Sequence, residues 1–165
     1  WKAERFIMCP TPGLNSPGLS RRSTKPMSTE TPKQTLDIRV YYEDTDTAGV
    51  VFYANYLKFF ERARTEWLRN LGVNQSELAR REHRMFVVKA ADIQYRKPAR
   101  LDDLITIHSQ IVRLGRASVD FTQQAELGGE LLCESNIQIC CVDTETFRPA
   151  ALPQELRTLL EKVQN

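Results

Sequence analysis

One long block of helical periodicity sits inside a chain most of whose other patterned stretches alternate every second residue. From Ala54 to about Leu71, Tyr56, Phe59, Phe60, Ala63, Trp67, Leu68 and Leu71 recur at a 3.6-residue period and fill roughly half of a helix surface. Lys58, Arg62, Thr65 and Arg69 fall on the other side, and Gly72 supplies a stop. A helix of about seventeen residues is about 25 Å long. Five strands spaced at ~4.8 Å span nearly the same width. A single helix can therefore lie across one whole sheet.

The flanking segments supply the strands. Leu36, Ile38, Val40 and Tyr42 alternate with Asp37, Arg39, Tyr41 and Glu43, which predicts a strand over 35–43. A short helix is expected around Gln75 to Glu82. Four more strands are expected over Met85–Tyr95, Asp103–Arg113, Ala117–Glu126 and Leu131–Asp143, and a terminal helix over Glu155–Val163. Leu114-Gly115-Arg116 and Gly128-Gly129 stand where antiparallel hairpins turn. A strand, a long helix and then four strands describe an α+β domain, with the helix packed on one antiparallel sheet.

At 165 residues the chain is long enough for one domain with a real core. A net charge of +2 gives no reason to expect nucleic acid, and no apolar run approaches the ~20 residues of a membrane-spanning helix. Cys9, Cys133, Cys140 and Cys141 lack CxxC spacing and read as free thiols in a reducing compartment. His83 and His108 are too far apart in sequence to suggest a His-rich metal site, so no metal is expected. Residues 1–34 are rich in Pro, Ser, Thr and basic side chains and show no sustained period. They read as a disordered leader, with a transit peptide as the alternative. Met27 opens Met-Ser-Thr-Glu-Thr-Pro-Lys and is the expected natural start, which makes 1–26 an upstream or added segment.

The stretch just before the long helix carries the chemistry. Glu43, Asp44 and Asp46 fall within four positions, and Ala48-Gly49 ends the run. Carboxylates held there face the unpaired N–H groups and positive dipole end of a helix start. Such a site can orient an acid beside a developing oxyanion. A turn-capping role for Asp46 is the plain structural alternative. Cation binding by Asp44 and Asp46 is another, although no further acid lies close in sequence.

Six pieces in order, Tyr42-Glu43-Asp44-Thr45-Asp46, Gly49-Val50-Val51, Asn55-Tyr56, Glu61-Arg62-Ala63-Arg64, Phe86-Val87-Val88 and Pro98-Ala99-Arg100-Leu101-Asp102-Asp103, resemble the hotdog thioesterases. The similarity runs from about Ile38 to Pro153. It is greatest to the Tol-Pal-associated acyl-CoA thioesterase group and to 4-hydroxybenzoyl-CoA thioesterase. The resemblance implies a hotdog fold, with a long central helix wrapped by a curved antiparallel sheet of about five strands and units pairing as dimers or tetramers. It implies hydrolysis of a short-chain or aromatic acyl-CoA without a cofactor. Asp46 stands at the position of the family's catalytic carboxylate, as general base or nucleophile, and the Tyr53 N–H at that of the oxyanion donor. The Tol-Pal group commonly has His where Tyr53 stands. A backbone donor survives that change, whereas an imidazole role does not.

Gly49 is expected to allow close backbone approach to the substrate, and Arg116, in the 114–118 turn, to meet the CoA phosphates. Arg113, Lys97 and Arg100 are weaker candidates for the same task. Phe59, Phe60 and Trp67 are expected in the core rather than in an acyl pocket. Arg64 falls within the apolar arc of the helix. It is expected to pair with a nearby acid or one across a dimer, the alternative being a side chain that snorkels to water. Beyond the substrate, acyl-carrier protein and envelope-associated proteins are partner candidates, and the expected location is the cytoplasm. The rival from another class is a non-catalytic acyl-binding or scaffold protein. A hotdog hydratase is disfavoured because neither histidine lies in the central-helix motif.

Overall fold

The computed structural model describes residues 34–164. The expected leader over 1–34 and a start at Met27 therefore fall almost wholly outside the described residues. Gln34 itself is tied down, its carbonyl accepting from Ser109 N–H at 2.8 Å. The elements run β1 (Thr35–Arg39), α1 (Asn55–Asn70), α2 (Gln75–Glu82), β2 (Arg84–Tyr95), β3 (Leu104–Leu114), β4 (Ser118–Leu127), β5 (Glu130–Asp143) and α3 (Gln154–Val163). The five strands form one sheet in the order β1-β3-β4-β5-β2, every pair antiparallel.

The periodicity of α1 is also its packing. Phe59 and Phe60 are fully buried, Tyr56, Ala63, Trp67 and Leu68 nearly so. They meet one face of the sheet, built from Ile105, Ile107 and Ile111 of β3, Val119 and Phe121 of β4, and Ile137, Ile139 and Cys141 of β5. Trp67 stands edge-on to Phe121, ring centres 5.8 Å apart. The bulky aromatics of α1 are core, as expected. At its C-terminal end Val73 N–H returns to Leu68 O and Gly72 N–H to Arg69 O, both at 2.9 Å, which satisfies the last carbonyls in a Schellman arrangement. α3 adds Leu156, Leu160 and Val163 to the same core.

Most boundaries fall within a residue of the sequence reading, and β1 is the exception. β1 stops at Arg39, and Tyr42–Asp44 form a turn of 3-10 helix instead of continuing the strand. The cause is local: the Asp44 carboxylate accepts Tyr41 N–H at 2.9 Å and pulls the chain out of the sheet. β2 is an edge strand of twelve residues with a bulge between Val88 and Ala90. Its outer side has no strand neighbour among the described residues, and Val87, Val88 and Tyr95 stay exposed.

Removing the ring at the centre of this packing should be costly. Phe59→Ala is expected to lower stability by about 3–5 kcal/mol, read as a drop in the urea midpoint with the helical circular-dichroism signal retained below it. A loss under about 1 kcal/mol would mean that this site collapses around the cavity.

Candidate functional site

Between β1 and α1 the chain makes a narrow loop whose hydrogen bonds separate the two neighbouring aspartates. Asp44 is buried, 4 % exposed, and its carboxylate is occupied. One oxygen takes Tyr41 N–H and the other takes Asn55 Nδ2 at 3.2 Å. Asp44 O also accepts Phe52 N–H at 2.8 Å, which closes the loop against the helix start. Asp44 therefore builds the site.

Asp46 is exposed, at the far end of a small hairpin pinned by a Thr45–Val51 bridge. Asp46 N–H donates to Val50 O, and Gly49 N–H returns to Asp46 O. One carboxylate oxygen accepts Ala48 N–H at 2.8 Å, which fixes the side chain in an Asx turn. The other oxygen has no protein partner among the described residues and is free to take a proton or attack a carbon. The turn role and an active role are compatible, since the first occupies only one oxygen. Gly49, at φ +73°, holds the left-handed conformation that closes this turn, and a Cβ there would meet nothing within 4 Å.

The helix start is the second half of the site. Ala54, the residue before α1, caps nothing with its side chain. Phe52 O accepts Asn55 N–H at 2.8 Å, but the N–H groups of Tyr53 and Ala54 have no acceptor among the described residues. Two adjacent free donors at the positive end of a sixteen-residue helix can hold a negative oxygen. The Tyr53 ring is exposed, with its centre 4.6 Å from that of Phe52 and 6.4 Å from that of Tyr95, and it stands as a wall beside the helix start.

Tyr95, at the end of β2, is the residue that sequence reasoning missed. Its hydroxyl donates to Tyr53 O at 2.9 Å, on the peptide group whose N–H belongs to Ala54. Burial, ahead of the Cys133 and Tyr53 neighbours, holds the phenol above its usual pKa, so it stays a donor at neutral pH. The contact joins residues 42 apart, and no local pattern announces it.

Arg116 lies elsewhere. It is exposed in the β3–β4 turn, at the opposite end of β4 from the strand ends that border the α1 start. Within one protomer the structure does not bring it to Asp46. Of the weaker cationic candidates, Lys97 pairs with Glu130 and Arg113 with Asp120. Among the described residues no group of three or more His, Cys, Asp or Glu side chains could hold a metal ion.

Comparison with known proteins gives this geometry a context. Residues 40–160 match the family model of the thioesterase-like superfamily. The chain is 41% identical over 120 residues to acyl-CoA thioesterase YbgC of Haemophilus influenzae, covering 73% of this chain and 88% of that protein. It is 38% identical over 130 residues to long-chain acyl-CoA thioesterase FadM of Escherichia coli, covering 78% and 96% respectively. The fold superposes on a probable thioesterase from Bartonella henselae with a TM-score of 0.69 and 38% identity, covering 72% of this chain and 98% of that one.

The two aspartates should separate cleanly in stability. Asp44→Ala strands a part-buried N–H and a buried amide and is expected to cost about 1–3 kcal/mol. Asp46→Ala at the exposed turn should stay within about 0.5 kcal/mol of wild type. Denaturant unfolding of both variants tests the assignment, and equal losses would contradict it.

Proposed function

The chain belongs to the thioesterase-like superfamily and has its hotdog fold, and from that premise we propose that it hydrolyses acyl-CoA thioesters to a free acid and CoA. The observation that carries the reading is a fixed carboxylate with one free oxygen, Asp46, held in the loop that leads into an uncapped helix start with two unused N–H groups. In the reaction, oxygen adds to the thioester carbonyl carbon, the carbonyl oxygen takes the negative charge, and the C–S bond then breaks. Asp46 either draws a proton from the attacking water or attacks directly to give an anhydride that water opens. Both routes put the charge on the same oxygen. The Tyr53 and Ala54 N–H groups are the donors offered to it, and loss of one such donor typically costs on the order of 10²–10³ in rate.

Tyr95 strengthens this arrangement from behind. A hydroxyl hydrogen bond to Tyr53 O polarises the peptide and raises the donor strength of Ala54 N–H. Exposed Phe52, Tyr53 and Leu57 offer apolar surface beside the reacting carbon, which suits short aliphatic and aromatic acyl groups. Gly49 keeps the carboxylate turn tight against the substrate. Arg116 can serve CoA phosphates of a site to which its own protomer's Asp46 does not belong.

That last point fits a homo-oligomer. The outer edge of β2 carries unpaired backbone groups and exposed Val87 and Val88, a surface that a second copy can extend antiparallel about a two-fold axis. Dimers, alone or paired as tetramers, are the expected species. No helix of the described residues is long and apolar enough to cross a membrane. We place the enzyme in the cytoplasm. Contact with acyl-carrier protein or envelope-associated proteins rests on family likeness alone.

Asp46→Asn should reduce kcat by about 10²–10⁴ with melting unchanged. Thiol release from short, long and aromatic acyl-CoAs measures it, and wild-type rates in the folded variant would overturn the assignment. Tyr95→Phe keeps the ring and deletes one hydrogen bond. It should lower kcat by about two- to tenfold with KM held, whereas a KM change alone would assign Tyr95 to substrate packing. Sedimentation equilibrium should give a dimer or tetramer, and a monomer at micromolar concentration would remove the role given to β2.

A further inference from the structure

A second cleft lies away from the helix start, between the later turns of α1 and strands β2 and β4. It encloses about 110 Å³, several times the ~10–15 Å³ that one water needs. Leu68, Phe86, Val88 and Phe121 make its walls apolar, and Arg64 is set among them. Arg64 is 7 % exposed. No carboxylate of its own protomer lies within ion-pair distance of it among the described residues, which removes the nearby-acid pairing expected from the sequence and leaves the one across a dimer.

Its fixed partner is a neutral amide. Arg64 Nη1 donates to Gln123 Oε1 at 2.5 Å. Gln123 is fully buried, and its amide nitrogen donates to Phe60 O at 3.0 Å and to Ser109 Oγ at 2.7 Å. Both of its amide hydrogens are thereby used, so the oxygen faces the guanidinium. The face of the Phe121 ring lies 6.0 Å from Arg64 Cζ. Glu61, one turn earlier on α1, also lines the cleft; its carboxylate is exposed, takes the Thr65 hydroxyl at 2.7 Å and acts on Arg64 only at longer range than an ion pair. The guanidinium is thus oriented but not neutralised. Burial lowers its pKa to about 10, which leaves it charged at neutral pH. Of its five N–H donors, Gln123 occupies one.

A buried, oriented, uncompensated cation at the wall of an apolar cleft calls for an anion with an apolar body. We propose that this cleft binds a carboxylate carried on a short apolar chain, with Arg64 as its counter-ion. Thioester hydrolysis offers that chemistry from two sources, the free acid product and the distal carboxylate of a dicarboxylic acyl group. The second source rests on the function proposed above. Arg64 lies nine residues along α1 from Asn55, about 14 Å at 1.5 Å per residue, so within one protomer only a long dicarboxylic chain spans from the helix start.

The test has two arms on the full chain. In the first, ligand-observed NMR compares hexanoate with hexanamide, which differ in charge at nearly equal shape. Wild type should bind hexanoate at least about tenfold more tightly. Arg64→Met should lose that preference, while Arg64→Lys should keep part of it. In the second, kcat/KM for dodecanedioyl-CoA is divided by that for dodecanoyl-CoA. A ratio that falls about tenfold in Arg64→Met assigns the distal carboxylate. Charge-dependent hexanoate binding with an unchanged ratio assigns the free acid instead. Equal binding of hexanoate and hexanamide to wild type, with an unchanged thioester ratio, would overturn the proposal; the first comparison needs no variant to fold. Arg64-dependent hexanoate binding in a protein that turns over no thioester would retain this site and remove the proposed activity.

Discussion

Burial of one stripe of α1 against one face of the sheet is the contact on which the other features depend. Phe59, Phe60 and Trp67 face the β3–β5 surface with almost no exposure, and this fixes both the axial position and the rotation of the helix. Its first turn is therefore held at the sheet end where β1, β3 and β4 bring their Arg39, Leu104 and Leu127 ends together. The unused N–H groups of Tyr53 and Ala54 are fixed by packing several turns away. Asp44 then attaches the preceding loop to the same turn through Asn55 and Phe52. A rigid helix and a short loop with few degrees of freedom are what preorganised electrostatics requires.

The same stripe admits one charged residue. Arg64 follows the helical period into the interior, and the core accommodates it with an amide instead of a carboxylate. Gln123 occupies an inward position of β4, where Val119, Phe121 and Ala125 are its same-face neighbours. An acid there would have neutralised the guanidinium and consumed its binding capacity. The amide fixes its direction and leaves its charge available.

Much of this was legible in the chain, for reasons that differ by element. The helix, the hairpins and the single buried face follow from local periods, 3.6 for α1 and 2 for the strands, so their boundaries moved by only a residue or two. β1 was overextended because Tyr42 continues the alternation. What ends the strand is a side-chain-to-backbone bond from Asp44, which a period does not register. The acids of the loop were visible as a cluster, but their division of labour was not. Only the fold shows Asp44 buried with both oxygens used and Asp46 outside with one oxygen free. Tyr95 and Gln123 act through contacts 42 and 59 residues distant, to Tyr53 and Arg64, beyond the reach of any local pattern.

The strand order also sets a timetable for synthesis. Among the described residues β2 pairs only with β5, and the register joins Arg84 to Asp143, 59 positions later. At ~5–20 residues per second a ribosome takes roughly 3–12 s to supply that partner. α1 is complete before that interval opens, and β3, β4 and β5, which build the face it packs against, emerge only while it runs. The nascent chain therefore carries Phe59, Phe60 and Trp67 uncovered for seconds, and an exposed aromatic stripe followed by an unpaired strand is the kind of surface that chaperones hold.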